Sequence, residues 1–418
     1  MAPGSSFGPV VSRICGFGIG LFLGFAGLST AQDPIRPAVP GGQVRLLASD
    51  AAILEAQDTR KDLPCGVTPA KPSLGFDFKF HSGYDVSVSL KELAGSDNLL
   101  TIVFRIARET APQEPAYFSQ HVNVPPIDDE DRGSAFLQGA FSLGEGKYHV
   151  DWLMRDRTER VCSSHWDSEA SLPLKDKPMA LDIAAGAVQP EDFELFRQEP
   201  PVTREPNGQP LRVKVLVNYA PQDSGAATLP PLDKNALVSI LRNVSREPRI
   251  GRFSLVAFNA QSQRVLYRQE AAPQIDFPAL GRALSKLNLG TVDLKLLTQK
   301  HGESEFLGNL LISEVKDFAE APDAVILAGP KVMLDDGLPP EILHRLAEVK
   351  FPVFYMNYNL YPQASPWRDA IGNAVKASKG VEFTISRPRD LFFAWSEIMG
   401  RIVKLKLGST GSGNSSSQ

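Results

Sequence analysis

Residues 211–217 read LRVKVLV, and the chain changes its period there. The run reads as a strand. After it, Leu237, Ile240, Leu241 and Val244 fall on one helical stripe. FSLVAF at 253–258 is a second strand, with 264–267 as an antiparallel partner. Helical patterns follow at 277–287 and 303–318, and 292–297 fits either class. AVIL at 324–327 is a buried strand, and 339–349 is a helix with proline in its first turn. PVFYM at 352–356 is a strand. Ser365 and Pro366 sit at the N-cap and N1 of a helix over 365–378. A strand at 381–385 and a helix at 388–404 close the pattern. Strands alternating with helices predict an α/β domain over 211–407, doubly wound around a mainly parallel sheet.

Upstream the texture is that of strands alone. Phe76, Phe78 and Phe80 alternate, as do Val86, Val88 and Leu90, and LLTIVFRI at 99–106 is a denser run. Further runs at 117–124, 135–143, 147–154 and 160–163 are separated by glycine- and aspartate-rich turns. Residues 156–159 (DRTE) read as a hairpin turn. Short strands at this spacing predict an antiparallel, immunoglobulin-like β-sandwich over 74–185. Residues 32–73 serve as leader and lead-in to that domain. Residues 186–210 hold Pro190, Pro200, Pro201, Pro206 and Pro210 and form a semi-rigid linker. The tail 408–418 (GSTGSGNSSSQ) is a disordered polar end.

Residues 1–31 carry Arg13 as their only charge, then the apolar run ICGFGIGLFLGFAGL and the small residues Ser29-Thr30-Ala31. That pattern is a secretory signal cleaved after Ala31. The run is short for a membrane span and rich in glycine, so no stable span is expected after cleavage. Of three cysteines, Cys15 leaves with the signal. Cys65 and Cys162 then form an even pair in an exported chain, which predicts a disulfide.

The whole chain of 418 residues has a net charge of −4, 43% hydrophobic and 22% charged residues. These values exclude a wholly disordered chain and a multi-span membrane protein, and give no basic footprint for nucleic acid. Asp128–Asp131 lacks the spacing of a calcium loop, and Gly144–Lys147 lacks the first glycine of a phosphate loop. The six histidines show no ligand spacing. G-x-S-x-G, H-E-x-x-H and C-x-x-C are missing from the sequence. No catalytic residue and no cofactor are assigned.

The order of elements from 211 to 407 resembles a von Willebrand factor type A domain. The resemblance is carried by RVKVLVN, GRFSLVAFNAQSQRVLYR, DAVILAG, FPVFYMNY and KGVEFTISRPRDLFFAWSEIMGRI. A secreted chain with a β-rich front and such a domain behind it also resembles acidobacterial-type proteins of that family. The family's metal-ion-dependent adhesion site implies Asp-x-Ser-x-Ser after the first strand. Here Asn218 takes the Asp position, while Ala220 and Gln222 replace the two serines. The later threonine and aspartate positions fall near Ser304 and Gly329. With those carboxylates gone the attraction for a divalent cation is largely lost, so no metal is expected.

In open α/β sheets ligands bind beyond the carboxyl ends of the strands. That edge would carry Asn218, Tyr219, Asn259, Ser304, Asp335, Asn357 and Tyr358, groups suited to a protein contact. The expected function is that of an exported, secreted or periplasmic, non-enzymatic protein that binds a protein partner or adheres. The alternatives are a secreted hydrolase acting on an extracellular polymer and a purely structural envelope protein.

Overall fold

The structure, a computed structural model, describes residues 33–35, 46–192, 194–204, 210–222, 226, 228–287, 301–315, 321–334, 337–360 and 369–412. The signal segment, the end of the tail, residues 292–297 and Asp335 therefore lie outside the described residues.

Two antiparallel sheets form the first half. One runs β1 (Asp33–Ile35), β5 (Ala111–Val124), β4 (Asn98–Arg108), β7 (Gly146–Arg155) and β8 (Val161–Ala170). The other runs β2 (Cys65–Leu74), β3 (Phe80–Ser89), β6 (Ser134–Leu143) and β9 (Val188–Pro190). A short helix, α2 (Leu90–Leu93), links β3 to β4. Period-two alternation sends Leu100, Ile102, Phe104 and Ile106 of β4 into the core with Val150, Trp152 and Met154 of β7. From the facing sheet come Tyr84, Val86, Val88 and Phe141. The Tyr84 ring lies 5.4 Å from Trp152 and 5.7 Å from Phe104, both edge-on. Gly139, opposite Tyr84 in the ladder, makes room for it: a Cβ there would meet the ring at 2.2 Å.

Cys65 and Cys162 are joined in a disulfide, as the sequence predicts. The bond has a structural consequence the sequence does not show. Cys65 opens β2 in one sheet and Cys162 lies in β8 of the other, so the bond staples the two layers together. The outer face of the larger sheet is partly covered by α1 (Ala48–Ala56), where Leu54 packs on Val103, Leu153 and Val161.

The second half is a six-stranded sheet ordered β12 (Arg264–Ala272), β11 (Ile250–Asn259), β10 (Leu211–Asn218), β13 (Ala324–Gly329), β14 (Val353–Tyr358) and β15 (Val381–Ile385). In β13, Ala324, Ile326 and Ala328 join one core and Val325 and Leu327 another. The first core also takes side chains from α3 (Pro231–Ser245), α4 (Phe277–Leu284) and α8 (Pro388–Ser412). The second takes them from α5 (Gly302–Val315), α6 (Pro340–Leu346) and α7 (Ala370–Ala377).

The expected fold class, a sandwich followed by a doubly wound, mainly parallel α/β domain of the type A kind, is corrected here. The chain is a β-rich multidomain fold of two antiparallel sheets and one mixed sheet. Nine of the fifteen strands among the described residues lie in the purely antiparallel sheets, so the helix-alternating half does not set the class. The mixed character has a local cause. Only residues 260–263 separate β11 from β12, too few for a parallel crossover, so β12 returns antiparallel. Two helices are shorter than their patterns imply, α4 ending at Leu284 and α6 at Leu346, while α8 runs past 404 to Ser412, into the stretch expected to be disordered.

The stretch 186–210 contains a strand among its described residues. β9 within it pairs with β6, and Glu191 reaches back to His81. His81 Nδ1 lies 2.9 Å from Glu191 and Nε2 2.8 Å from Asp77. Burial alone would lower the His81 pKa, but bonds to the two carboxylates outweigh it and raise the value to about 10. The folded pKa lies above the unfolded value near 6.5, so the native state holds this proton more tightly. The clamp's stabilisation is complete below pH ~6.5 and is lost as pH rises through about 10. His81→Ala should cost about 2 kcal/mol at pH 6 and much less at pH 10. Urea melts at the two pH values check this; an equal loss at both would contradict the clamp.

Candidate functional site

The carboxyl ends of β10, β11 and β14 bring most of the sequence-assigned polar residues together, but they face inward. Asn218, Tyr219, Asn259 and Asn357 are fully buried, and Tyr358 nearly so. The amides serve the backbone. Asn218 Oδ1 accepts from the Ala260 N–H at 3.1 Å, and Asn259 Nδ2 donates to the Tyr219 carbonyl at 2.7 Å. Asn259 Oδ1 accepts from the Ser262 N–H, which shapes the turn into β12. Each asparagine thus ties the end of one strand to the loop of its neighbour, because the outgoing loops leave backbone donors and acceptors that a buried site must satisfy.

Gln222 closes the layer. Its backbone N–H donates to Asp233 in the first turn of α3 at 3.1 Å, its side-chain amide donates to Asn359, and its Oε1 accepts from the Leu360 N–H. Asp233 is buried, which raises its pKa, while the Gln222 N–H and the Tyr358 hydroxyl pull it back down. Burial likewise pushes the Tyr219 hydroxyl up. Among the described residues, Asn218 Nδ2, Tyr219 OH and Asp233 Oδ1 have no hydrogen-bond partner.

The positions of the degenerate metal site do not converge on an open cradle. Gly329 sits against Asn218: a Cβ on it would come within 2.7 Å of the Asn218 Cβ, and its φ of +146° favours glycine. Ala220 is buried. The Ser304 hydroxyl donates to the His301 carbonyl one turn back. Asn357 lies apart from the Asn218 group and donates to Glu382 and Thr384. The expected ligand-facing edge is therefore a buried polar layer. Side chains placed at strand ends are pulled inward wherever loops fold over them, and amides suit backbone groups there.

Two outward features were not read from the sequence. Leu232, at the start of α3, is 47% exposed, and Met333, in the loop after β13, is 57% exposed. Leu232 follows β10 in the chain and Met333 follows β13, and those two strands pair. Separately, a cavity of about 330 Å³ is lined by Lys331 from the loop after β13 and by Asp369, Asn373, Lys376 and Glu382. Burial and the charge of Glu382 raise Asp369 to about 6, against the pull of the Val332 and Gly372 N–H groups. Periodicity offers no signal for such a cavity, because its residues come from two stretches far apart in the chain, Lys331 and 369–382.

No protein-family model matches the chain, and no curated protein matches it. Among solved structures, it is similar to a D319A mutant of the PilB minor pilin from Streptococcus sanguinis. That match is 10% identical, covers 72% of this chain and 87% of the pilin, and has a TM-score of 0.27. A glycosyl hydrolase family 2 member from Bacteroides cellulosilyticus is 10% identical over 78% of this chain and 39% of its own, with a TM-score of 0.19. A β-glucuronidase from Bacteroides uniformis is 11% identical over 71% and 36%, also at 0.19. Likenesses of this size leave the function to the chain's own geometry. The disulfide fits folding in an oxidising compartment. No helix among the described residues is long and apolar enough to cross a membrane.

Proposed function

We propose that this chain is an exported, non-enzymatic binding protein that docks a protein partner at the strand-end face of its six-stranded sheet. The observation that carries the reading is an inversion of polarity at that face. The polar side chains Asn218, Asn259 and Gln222 are spent on backbone groups, while Leu232 and Met333 project outward. An exposed methionine and leucine at this face offer apolar groups for a contact core, where methionine is enriched. The secreted or periplasmic setting supports the same reading, because a stapled sandwich is suited to carry a binding face where disulfides persist.

The test is a comparison of the exported protein with a Leu232→Asp, Met333→Asp double variant. Both are used to capture partners from envelope extract and culture medium. A partner retained by the wild type should bind the variant at least about tenfold more weakly, roughly 1.4 kcal/mol or more. Melting of the variant should stay within about 1 °C of wild type, as expected for surface changes. Equal capture by both proteins, or capture by neither, would retire this face as the binding site.

A further inference from the structure

A strand register and a helix cap bring two carboxylates to one spot. Glu382 of β15 lies opposite Tyr355 of β14, and Thr384 lies opposite Asn357. Asn357 is fully buried and donates to Glu382 Oε1 at 2.5 Å, which orients that side chain. Asp369 caps α7, and its Oδ1 accepts from the Ile371 and Val332 N–H groups at 3.1 Å each. The second oxygen of each acid faces the missing side chain of Gly372. A Cβ there would stand 3.0 Å from Asp369 Oδ2 and 3.1 Å from Glu382 Oε2. Asp369 Oδ2 is buried and has no hydrogen-bond partner among the described residues.

Both acids line the cavity of about 330 Å³, and so do Lys331 and Lys376. Among the described residues neither lysine forms an ion pair with either carboxylate. Two acids thus stand side by side, and two cations share their cavity without closing on them. Like charges placed together, one of them largely desolvated, are costly until a cation comes between them. A metal ion would answer the acids but be repelled by the lysines. A ligand carrying an ammonium and an anion answers both, through charge-assisted hydrogen bonds. The volume lies at the small end of ligand pockets, which suits a small molecule.

We infer that this cavity binds a free amino acid as its zwitterion. The ammonium sits over Gly372, between Asp369 Oδ2 and Glu382 Oε2, and the carboxylate meets Lys331 and Lys376. The site is independent of the partner-binding reading, which rests on Leu232 and Met333.

The experiment uses the exported full-length chain. Each of the standard amino acids is added at about 10 mM and melting is followed, since a ligand of the folded state raises the midpoint. Any that raises it is then titrated by calorimetry. Expected is at least one amino acid with a Kd below about 1 mM. Its N-acetyl derivative lacks the ammonium and its amide lacks the carboxylate, so each should bind at least about tenfold more weakly. Gly372→Ala puts a methyl group between the two carboxylate oxygens at a helical position where alanine is favoured. It should weaken binding at least about tenfold while the unliganded chain melts no lower. Lys376→Met should weaken the amino acid but leave the amide unchanged.

Affinity should also depend on pH. Asp369, faced by Glu382 of β15, Tyr355 of β14, Lys331 after β13 and Lys376 of α7, is raised to about 6. The ligand's ammonium needs the ionised form, so affinity should fall about tenfold from pH ~7.5 to pH ~5. The proposal is overturned if no amino acid binds below about 1 mM. It is equally overturned if the N-acetyl derivative binds as well as its parent, or if Gly372→Ala binds as well as wild type.

Discussion

Replacing Cys65 and Cys162 together by alanine should destabilise the sandwich by about 4 kcal/mol. The two residues are 97 apart in sequence, so the bond closes a long loop and removes much of the freedom of the unfolded chain. The native side adds to this. Cys162 is buried in the shared core, and the bond is the covalent tie between β2 of one sheet and β8 of the other. β2 depends on that tie more than its neighbours do, because it is an edge strand whose middle residues are exposed and which holds Pro69 and Pro72. Without the bond, β2 keeps its pairing with β3 and the packing of Val67 and Leu74 on the core. A loss of this size lowers the melting temperature by roughly 10 °C for a unit of this length. Scanning calorimetry of the double variant checks the number, and limited proteolysis should cut first near β2. A midpoint within about 1 °C of wild type would mean that the sheets hold together by packing alone.

β2 also shows where sequence reading stops. CGVTPAKPSL has no period because the strand buries neither face fully, and its alternation is broken by proline and lysine. Its register comes from β3 and the disulfide, not from its own pattern. Phe76 and Phe78 seemed to extend the alternation of Phe80, yet they lie in the turn between β2 and β3, with Phe78 in the left-handed region. By contrast β4, β6 and β7 are legible almost to the residue, since each is an apolar-rich run bounded by turn residues. β8 was read as 160–163 but runs to Ala170, because its outer half alternates small and polar residues with few large apolar ones. At the candidate site the residue types were legible and their direction was not. Asn218, Asn259 and Asn357 stand at strand ends as expected, but only the folded surroundings decide that Asn218 and Asn259 meet backbone while Asn357 meets the side chains of Glu382 and Thr384. The exposed pair Leu232 and Met333 carried no signal, since single apolar residues in loops are common.

Glu199→Ala should cost about 3–5 kcal/mol, the other large effect expected in this chain. Glu199 is buried in the stretch between the two halves, and its carboxylate meets two arginines. Arg242 Nε lies 2.9 Å from Oε1, and Arg246 Nε donates to Oε2 at 2.7 Å. Arg246 also pairs with Asp182 of the sandwich side, so one chain of charges joins the first half, the connecting stretch and the end of α3. Burial alone would lower the Arg246 pKa; its bonds to Glu199 and Asp182 raise it instead. Deleting the carboxylate leaves Arg242, itself mostly buried, without its counter-charge, and that uncompensated desolvation is the main cost. Glu199→Gln should fall between wild type and alanine, since it keeps the volume and one acceptor but not the charge. Asp182→Asn should cost under about 1 kcal/mol, because that pair is about a third exposed on both sides and is screened. The origin of the loss can be separated from simple cavity formation. If the stranded cation is responsible, adding Arg242→Met to Glu199→Ala should recover part of the stability, a coupling of at least about 1 kcal/mol in a double-mutant cycle. If the two changes add without coupling, the arginine was never held by this carboxylate, and the connecting stretch is anchored by its other contacts, such as Arg242 to the Leu195 carbonyl and Gln198 to the Ile275 carbonyl.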